Sequence, residues 1–395
     1  MQEYAARSIY SKQRRISTIV YQVVLLVDNP GLRIRVLECR LRLPKDTTLS
    51  SFRHPAAISF TRLLAAALIF ANLTSCQRDA DLVIRIGTYV PEQSVGIRTV
   101  IKPWMEAVQA ELPAGIRFQS YWGGSLGRDA FAQYDLVKHG VLDIAWVLPG
   151  YTAGQFPQID IIELPYLVRS ATEAAVAGWQ LHAEGLIDGT QDVQVLGIWS
   201  TDVATIQTVD PLSALTDIRN LKIRTAGSVQ ANFIGLFGGI SETMSAIEMN
   251  EAIQRGSIDG VVQAWSGIRT FRTDRLMRSA YEAPLGALPF MLLMNRKTWE
   301  LLSPEVQALF MKHGGKTLAR RAGAEYDDIA GGIRDDPYVA ERYTFVVPDE
   351  AQNQANARQL RPVHDKWIKK RPNGQAVYDR FVALLDDLRA QGNAQ

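Results

Sequence analysis

Cysteine is scarce in this chain, with Cys39 and Cys76 the only two in 395 residues, so no disulfide framework can be laid out along it. Histidine is nearly as rare. None of the five stands in H-x-x-x-H spacing, and no G-x-x-x-x-G-K-[ST] loop occurs, so the sequence shows neither a zinc-site nor a phosphate-loop signature and calls for no cofactor. No run of 18 apolar residues is present to span a bilayer. The longest candidates, Ile16–Val27 (diluted by Ser17, Thr18, Tyr21 and Gln22) and Leu63–Leu73, are both too short. Internal repeats and low-complexity linkers are also missing.

What is present is ordinary for a globular protein: 47% hydrophobic and 21% charged residues, with a net charge of +2. That charge is unevenly spread. Met1–Ser75 carries 11 Lys+Arg against 4 Asp+Glu, leaving 32 and 37 for the rest, a net of −5. A nucleic-acid-binding body needs a basic face, and this one is mildly acidic, so nucleic acid is not an expected partner.

The basic leader has internal order. Arg53, His54 and Arg62 precede the apolar Leu63–Leu73, in the arrangement of an export signal. Leu73-Thr74-Ser75-Cys76 then resembles a bacterial lipobox, in which cleavage before Cys76 leaves that cysteine to carry a lipid. The same residues also fit an ordinary signal peptide ending near a cysteine. On either reading residues 53–75 are the signal, and residues 1–52 are expected to be an over-extended start or a discarded leader. Lipidation of Cys76 would leave no cysteine pair for a disulfide.

From Leu82 the pattern alternates. Leu82–Val90, Gly115–Trp122 and the almost wholly apolar Asp143–Leu148 read as strands, separated by helical spacing over Ile97–Glu111 and Ala130–Lys138. Strand, helix, strand, helix, strand implies βαβ units and a mainly parallel sheet. A second set follows. Val193–Ser200, Ala204–Val209, Leu221–Ala226, Ile258–Gln263 and Pro289–Asn295 are expected strands, with helices at Val229–Phe237 and Glu248–Arg255. Ser303 and Pro304 sit as N-cap and first residue of a helix, and Val306–Tyr326 reads as one long helical pattern. Helices are expected over Glu350–Lys370 and Gln375–Gln391. The fold class is α/β.

Gly123-Gly124-Ser125-Leu126-Gly127 matches G-x-S-x-G, the nucleophile elbow of α/β-hydrolases, with His182, His313 or His364 as bases. Only two strands precede Ser125 after the leader, too few to build the elbow's sheet, and there is no upstream HGGG-type loop. The plainer reading is a glycine-rich turn in which Ser125 and Gly127 start a helix. An esterase using Ser125 stays the alternative function.

Six ordered blocks carry a more specific likeness: GGSLGRD (Gly123–Asp129), KHGVLDIAW (Lys138–Trp146), IIELPYL (Ile161–Leu167), LTDIRNLKIRTAG (Leu215–Gly227), AIQRGSIDGVV (Ala252–Val262) and LLMNRKTWELLSPEVQ (Leu292–Gln307). In order and spacing they resemble the substrate-binding subunits of tripartite ATP-independent periplasmic (TRAP) transporters. The resemblance implies a periplasmic or extracytoplasmic solute-binding protein, not an enzyme, with a two-lobed periplasmic-binding-protein (flytrap) fold, crossing segments and long bracing helices. Lobe I would take residues 82–201 plus 289–329, and lobe II residues 202–288 plus 330–395. The implied partners are a small organic acid and the membrane permease subunits, with membrane contact through a lipid anchor if Cys76 is modified. A ligand-sensing receptor subunit would share all of these features.

The family's central arginine falls on Arg224, at the end of a strand. A guanidinium stays charged and presents a rigid donor fork that takes a carboxylate bidentately. A strand-end arginine is otherwise most often a structural or surface ion pair. The resemblance also places Gln263, after Asp259-Gly260, and Asp129 against the solute. Trp265 would face the same side as Gln263 if the strand runs on. Trp146 and Leu148 close one buried strand and Tyr89 the first, positions where a single aromatic is as readily core as pocket. A second arginine, present in some relatives about twenty residues earlier, is replaced here by Ser200-Thr201-Asp202-Val203-Ala204, and an acidic position by Val262. Few polar groups and several tryptophans argue for an aromatic or otherwise apolar monocarboxylate.

Overall fold

The computed structural model describes residues 18–22, 38–42, 82–152 and 154–392. Two compact units are present, Met1–Arg78 and Asp79–Gln395. The described part of the first is one antiparallel strand pair, β1 (Thr18–Gln22) and β2 (Glu38–Arg42), in register from Thr18 against Arg42 to Gln22 against Glu38. Cys76 and the proposed signal at 53–75 lie outside the described residues.

The second unit holds two sheets. The strands β3 (Leu82–Gly87), β4 (Ile116–Tyr121), β5 (Ile144–Val147) and β6 (Val193–Ser200) form one, and the other is built from β7 (Thr205–Thr208), β8 (Lys222–Thr225), β9 (Ile240–Thr243), β10 (Gly260–Gln263) and β11 (Ser279–Tyr281). Two later strands return: β12 (Pro289–Asn295) enters the first sheet and β13 (Thr344–Val346) the second. The orders are β4-β3-β5-β12-β6 and β13-β11-β7-β10-β8-β9. Because β12 runs antiparallel to both β5 and β6, and β7 to both β10 and β11, the sheets are mixed rather than mainly parallel. Nearly unbroken apolar sequence suits β5 and β12 to burial on both faces, and every residue of each is buried.

Three stretches link the sheets. Thr201–Ala204 and Glu282–Leu288 run side by side, joined by Thr201 N to Leu288 O (2.9 Å), Leu288 N to Thr201 Oγ1 (3.0 Å) and Ala204 N to Gly286 O (2.7 Å). The third is the helix Gly315–Arg334, which packs on the helix Ala171–Ala183 and β6 on one side and on the helix Trp265–Phe271 on the other. At the C-terminus, the helix Glu350–Lys370 packs on the helix Ser228–Leu236, beside the second sheet. The final helix Gly374–Gly392 packs on Ala171–Ala183, where Arg380 and Arg389 pair with Glu184 and Glu173.

Several expected elements shift. Val306–Tyr326 is two helices, Pro304–His313 and Gly315–Arg334, with Ser303 accepting from Val306 N at the first cap. The break falls where the chain lies against its neighbours: a Cβ on Gly314 would stand 2.4 Å from Leu196 O, and Gly315 holds φ +54°. The helix expected from Ala130 begins at Gln133. Ala171–Ala183 is helical without amphipathic spacing, because eight of its residues are buried on more than one side.

Candidate ligand-binding site

The carboxyl ends of β3 and β5 and the first residues of β12 meet at one edge of the five-stranded sheet, facing the ends of β8 and β10. Open α/β sheets bind ligands at such edges. Here the walls enclose a cavity of about 50 Å³. Of the residues singled out from sequence, Tyr89, Trp146, Leu148, Arg224 and Gln263 all line it.

Arg224 stands on β8, opposite Val261 of β10 and Glu242 of β9. Only 1% of it is exposed. Its Nε and Nη2 donate to Met244 O at 3.1 and 2.9 Å, and Nη2 also donates to Tyr151 Oη at 2.7 Å. Among the described residues no carboxylate comes within ion-pairing distance. Glu163, the acidic side chain whose charge would be felt, is itself buried with both oxygens unpartnered, and burial pushes its carboxyl well above the usual range. A buried, uncompensated cation is costly, and an anion supplied from outside would relieve it.

Tyr151 is a component that the sequence reading missed. Its Oη accepts from both Arg224 Nη2 and Ala246 N (2.9 Å), which leaves the phenolic proton free to donate elsewhere. A signal was available: Pro149-Gly150 forms a turn straight after a buried strand, so the next side chain is delivered to the sheet edge. Gln263 adds a second polar group, and its Oε1 is buried without a partner.

The remaining walls are mostly apolar. Trp146 meets Phe290 edge-on at 5.0 Å between ring centroids, and Tyr326 from the long connecting helix stands behind Phe290 at 6.2 Å. Burial pushes the hydroxyls of Tyr89 and Tyr326 up, so both stay protonated donors. Trp146 fits only because residue 96 is glycine: a Cβ there would lie 2.5 Å from its ring and 2.8 Å from Tyr326 Oη. Phe290 and Tyr326 carry no local signal of their place, since both arrive from distant sequence.

Two expected residues do not line the cavity. Trp265 would have shared a face with Gln263 had β10 continued, but the strand ends at Gln263 and Ala264 caps a helix that begins at Trp265. The indole therefore turns away. Its Nε1 donates to Glu282 Oε1 at 3.2 Å, and its ring packs on Tyr343 and Phe345. Asp129 is exposed in the loop after β4, where Oδ1 caps its own turn by accepting from Phe131 N at 2.8 Å. Ser125 is exposed in the same loop, eight residues before the helix Gln133–Lys138, so the strand–turn–helix context of a nucleophile elbow is not formed.

Comparison with known proteins bears on the family and the fold. The family model described as bacterial extracellular solute-binding protein, family 7, matches residues 86–370. The outer membrane transporter protein TsaT of Comamonas testosteroni is 21% identical over 340 residues, covering 82% of this chain and 98% of the relative. Among solved structures, a TRAP solute-binding protein from Rhodoferax ferrireducens T118 in complex with benzoate superposes with a TM-score of 0.74 at 24% identity, covering 79% of this chain and 99% of that one. A TRAP periplasmic solute-binding protein from Bordetella bronchiseptica with bound mandelate does so at 0.69 and 22%, covering 78% and 99%.

Proposed function

The chain belongs to the bacterial extracellular solute-binding proteins of family 7, and from that membership we propose that it captures a small apolar or aromatic monocarboxylate at Arg224 and delivers it to the membrane subunits of a TRAP transporter. One observation carries the proposal: a guanidinium 1% exposed, without a carboxylate partner among the described residues, lines an otherwise largely apolar cavity. Few directional polar groups among aromatic walls are typical of sites for small organic ligands. The bound acids of the two solved relatives, benzoate and mandelate, have this chemistry.

In this reading residues 82–201 with 289–329 and residues 202–288 with 330–395 are two lobes that close on the solute. A site that holds benzene measures about 150 Å³, three times the cavity here, so a ring enters only when the walls part. The carboxylate then docks on Arg224, Tyr151 from the opposite sheet adds its hydroxyl, and the contacts made only in the closed form shift the equilibrium toward it. A lipid on Cys76 would hold the receptor at a membrane surface. No helix among the described residues is long and apolar enough to cross one.

Calorimetry with benzoate and mandelate tests the site. Arg224→Ala is expected to weaken binding by more than about tenfold, because a charge-assisted bond to a desolvated carboxylate is lost. Arg224→Lys is also expected to bind more weakly, since an ammonium lacks the fork. An alanine variant that binds as tightly as the native chain removes Arg224 from the site.

A further inference from the structure

We infer that the mouth of the cleft is a second, outer anion site: an encounter site whose arginines gather carboxylates from solution and feed them to Arg224. The inference rests on the inner cavity being a carboxylate site, and adds to it the route of access. Outside the cavity lies a groove of about 720 Å³ that shares Ala246, Thr270 and Phe271 with it, so the two are continuous. Four arginines line this groove: Arg98 from the five-stranded side, and Arg269, Arg272 and Arg275 from the six-stranded side. All four are exposed. Arg269 pairs with Asp336 at 2.7 Å, whereas Arg98, Arg272 and Arg275 have no ion-pair partner among the described residues. The acidic side chain in the lining is Asp274, which is buried and whose carboxyl is raised by that burial.

Two features separate this arrangement from arginines scattered over a surface. The body of the protein is net acidic, so a patch of one positive sign at the mouth runs against the background. The segment that carries Arg272 is also held in place. Asn250 donates to Phe271 O at 2.7 Å and accepts from Thr273 Oγ1 at 3.0 Å, gripping the residues on both sides of Arg272, which itself takes φ +58°. Across the groove, Val95 N donates to Thr270 Oγ1 at 3.3 Å and ties the two walls together at the boundary between groove and cavity. Like charges fixed around a concave entrance focus their field on the path inward and raise the association rate of a counter-ion.

Rapid mixing followed by tryptophan fluorescence, with Trp146 as the reporter in the cavity wall, measures that rate. Benzoate and mandelate serve as probes. The variant R98Q/R272Q/R275Q is expected to associate about tenfold more slowly at low ionic strength, within the range electrostatic focusing supplies. Dissociation should change by less than about twofold. In 1 M salt, where the screening length is about 3 Å, native and variant rates should converge. R98K/R272K/R275K, which keeps the charge and changes the shape, should associate like the native chain. Equal association rates at low salt overturn the inference and leave the inner site standing. Slowing that persists in 1 M salt also overturns it, because the arginines would then act by contact or structure. If the native chain binds neither acid, both the inner and the outer site fall.

Discussion

Asp202 offers a sharp test of how the site is held together. It lies in the Thr201–Ala204 crossing, fully enclosed, and accepts from Trp265 N at 2.8 Å, from Ser266 N at 3.2 Å and from Ser266 Oγ. It therefore caps, from the connection between the sheets, the helix Trp265–Phe271, whose own N-cap residue Ala264 has no acceptor to offer. Ser266, Gly267, Thr270 and Phe271 on that helix all line the cavity. Asp202→Ala removes a cap worth about 1 kcal/mol and strands buried donors at about 1–3 kcal/mol. The expected loss is about 3 kcal/mol, or roughly 4–5 °C in Tm for a unit of this size. Burial raises the Asp202 carboxyl to about 6 despite these bonds. The folded state then holds this proton more tightly than the unfolded chain, whose aspartates titrate near about 3.9. Stability from this group is thus greatest below pH 4, falls as pH rises toward 6, and is level above, a total change of about 3 kcal/mol. Asp202→Asn abolishes that term. Thermal unfolding of the native chain and Asp202→Asn at several pH values between 4 and 7.5 reads the difference directly. A gap between the two that does not move with pH, or an Asp202→Ala variant as stable as the native chain, would refute the reasoning.

Two other substitutions separate cavity wall from support. Gly96→Ala forces a methyl into Trp146 and Tyr326 and drives them into a cavity with little room to spare. Overpacking of this kind costs about 1–3 kcal/mol, and benzoate affinity by calorimetry should fall by more than about tenfold. Trp265→Phe loses the bond to Glu282 while keeping most of the ring packing, so thermal unfolding should show about 1 kcal/mol of destabilisation. Its benzoate affinity should stay within about twofold of native.

Much of this molecule is written in short stretches of sequence. The apolar runs Val193–Ser200 and Pro289–Asn295 are strands over the same residues that their composition marks, the Ser303-Pro304 pair starts a helix, and Glu350–Lys370 is helical end to end. Tyr89, Trp146 and Leu148 were singled out because each stands near the end of a strand that its neighbours announce, whereas Arg224 and Gln263 were placed by the resemblance of the blocks around them. Alternation, caps and turns are properties of residues a few places apart, and they survive into the fold.

What those stretches do to one another is decided only when the chain closes on itself. Nothing near Pro289 says that this strand will run antiparallel between β5 and β6, and nothing near Phe290 or Tyr326 says that they will stand beside Trp146. Trp265 shows how narrow the margin is, because ending the strand at Gln263 sends the indole to the far side of the helix. The cavity is assembled from pieces more than two hundred residues apart, and such contacts depend on the packing of whole elements. No local pattern encodes that packing.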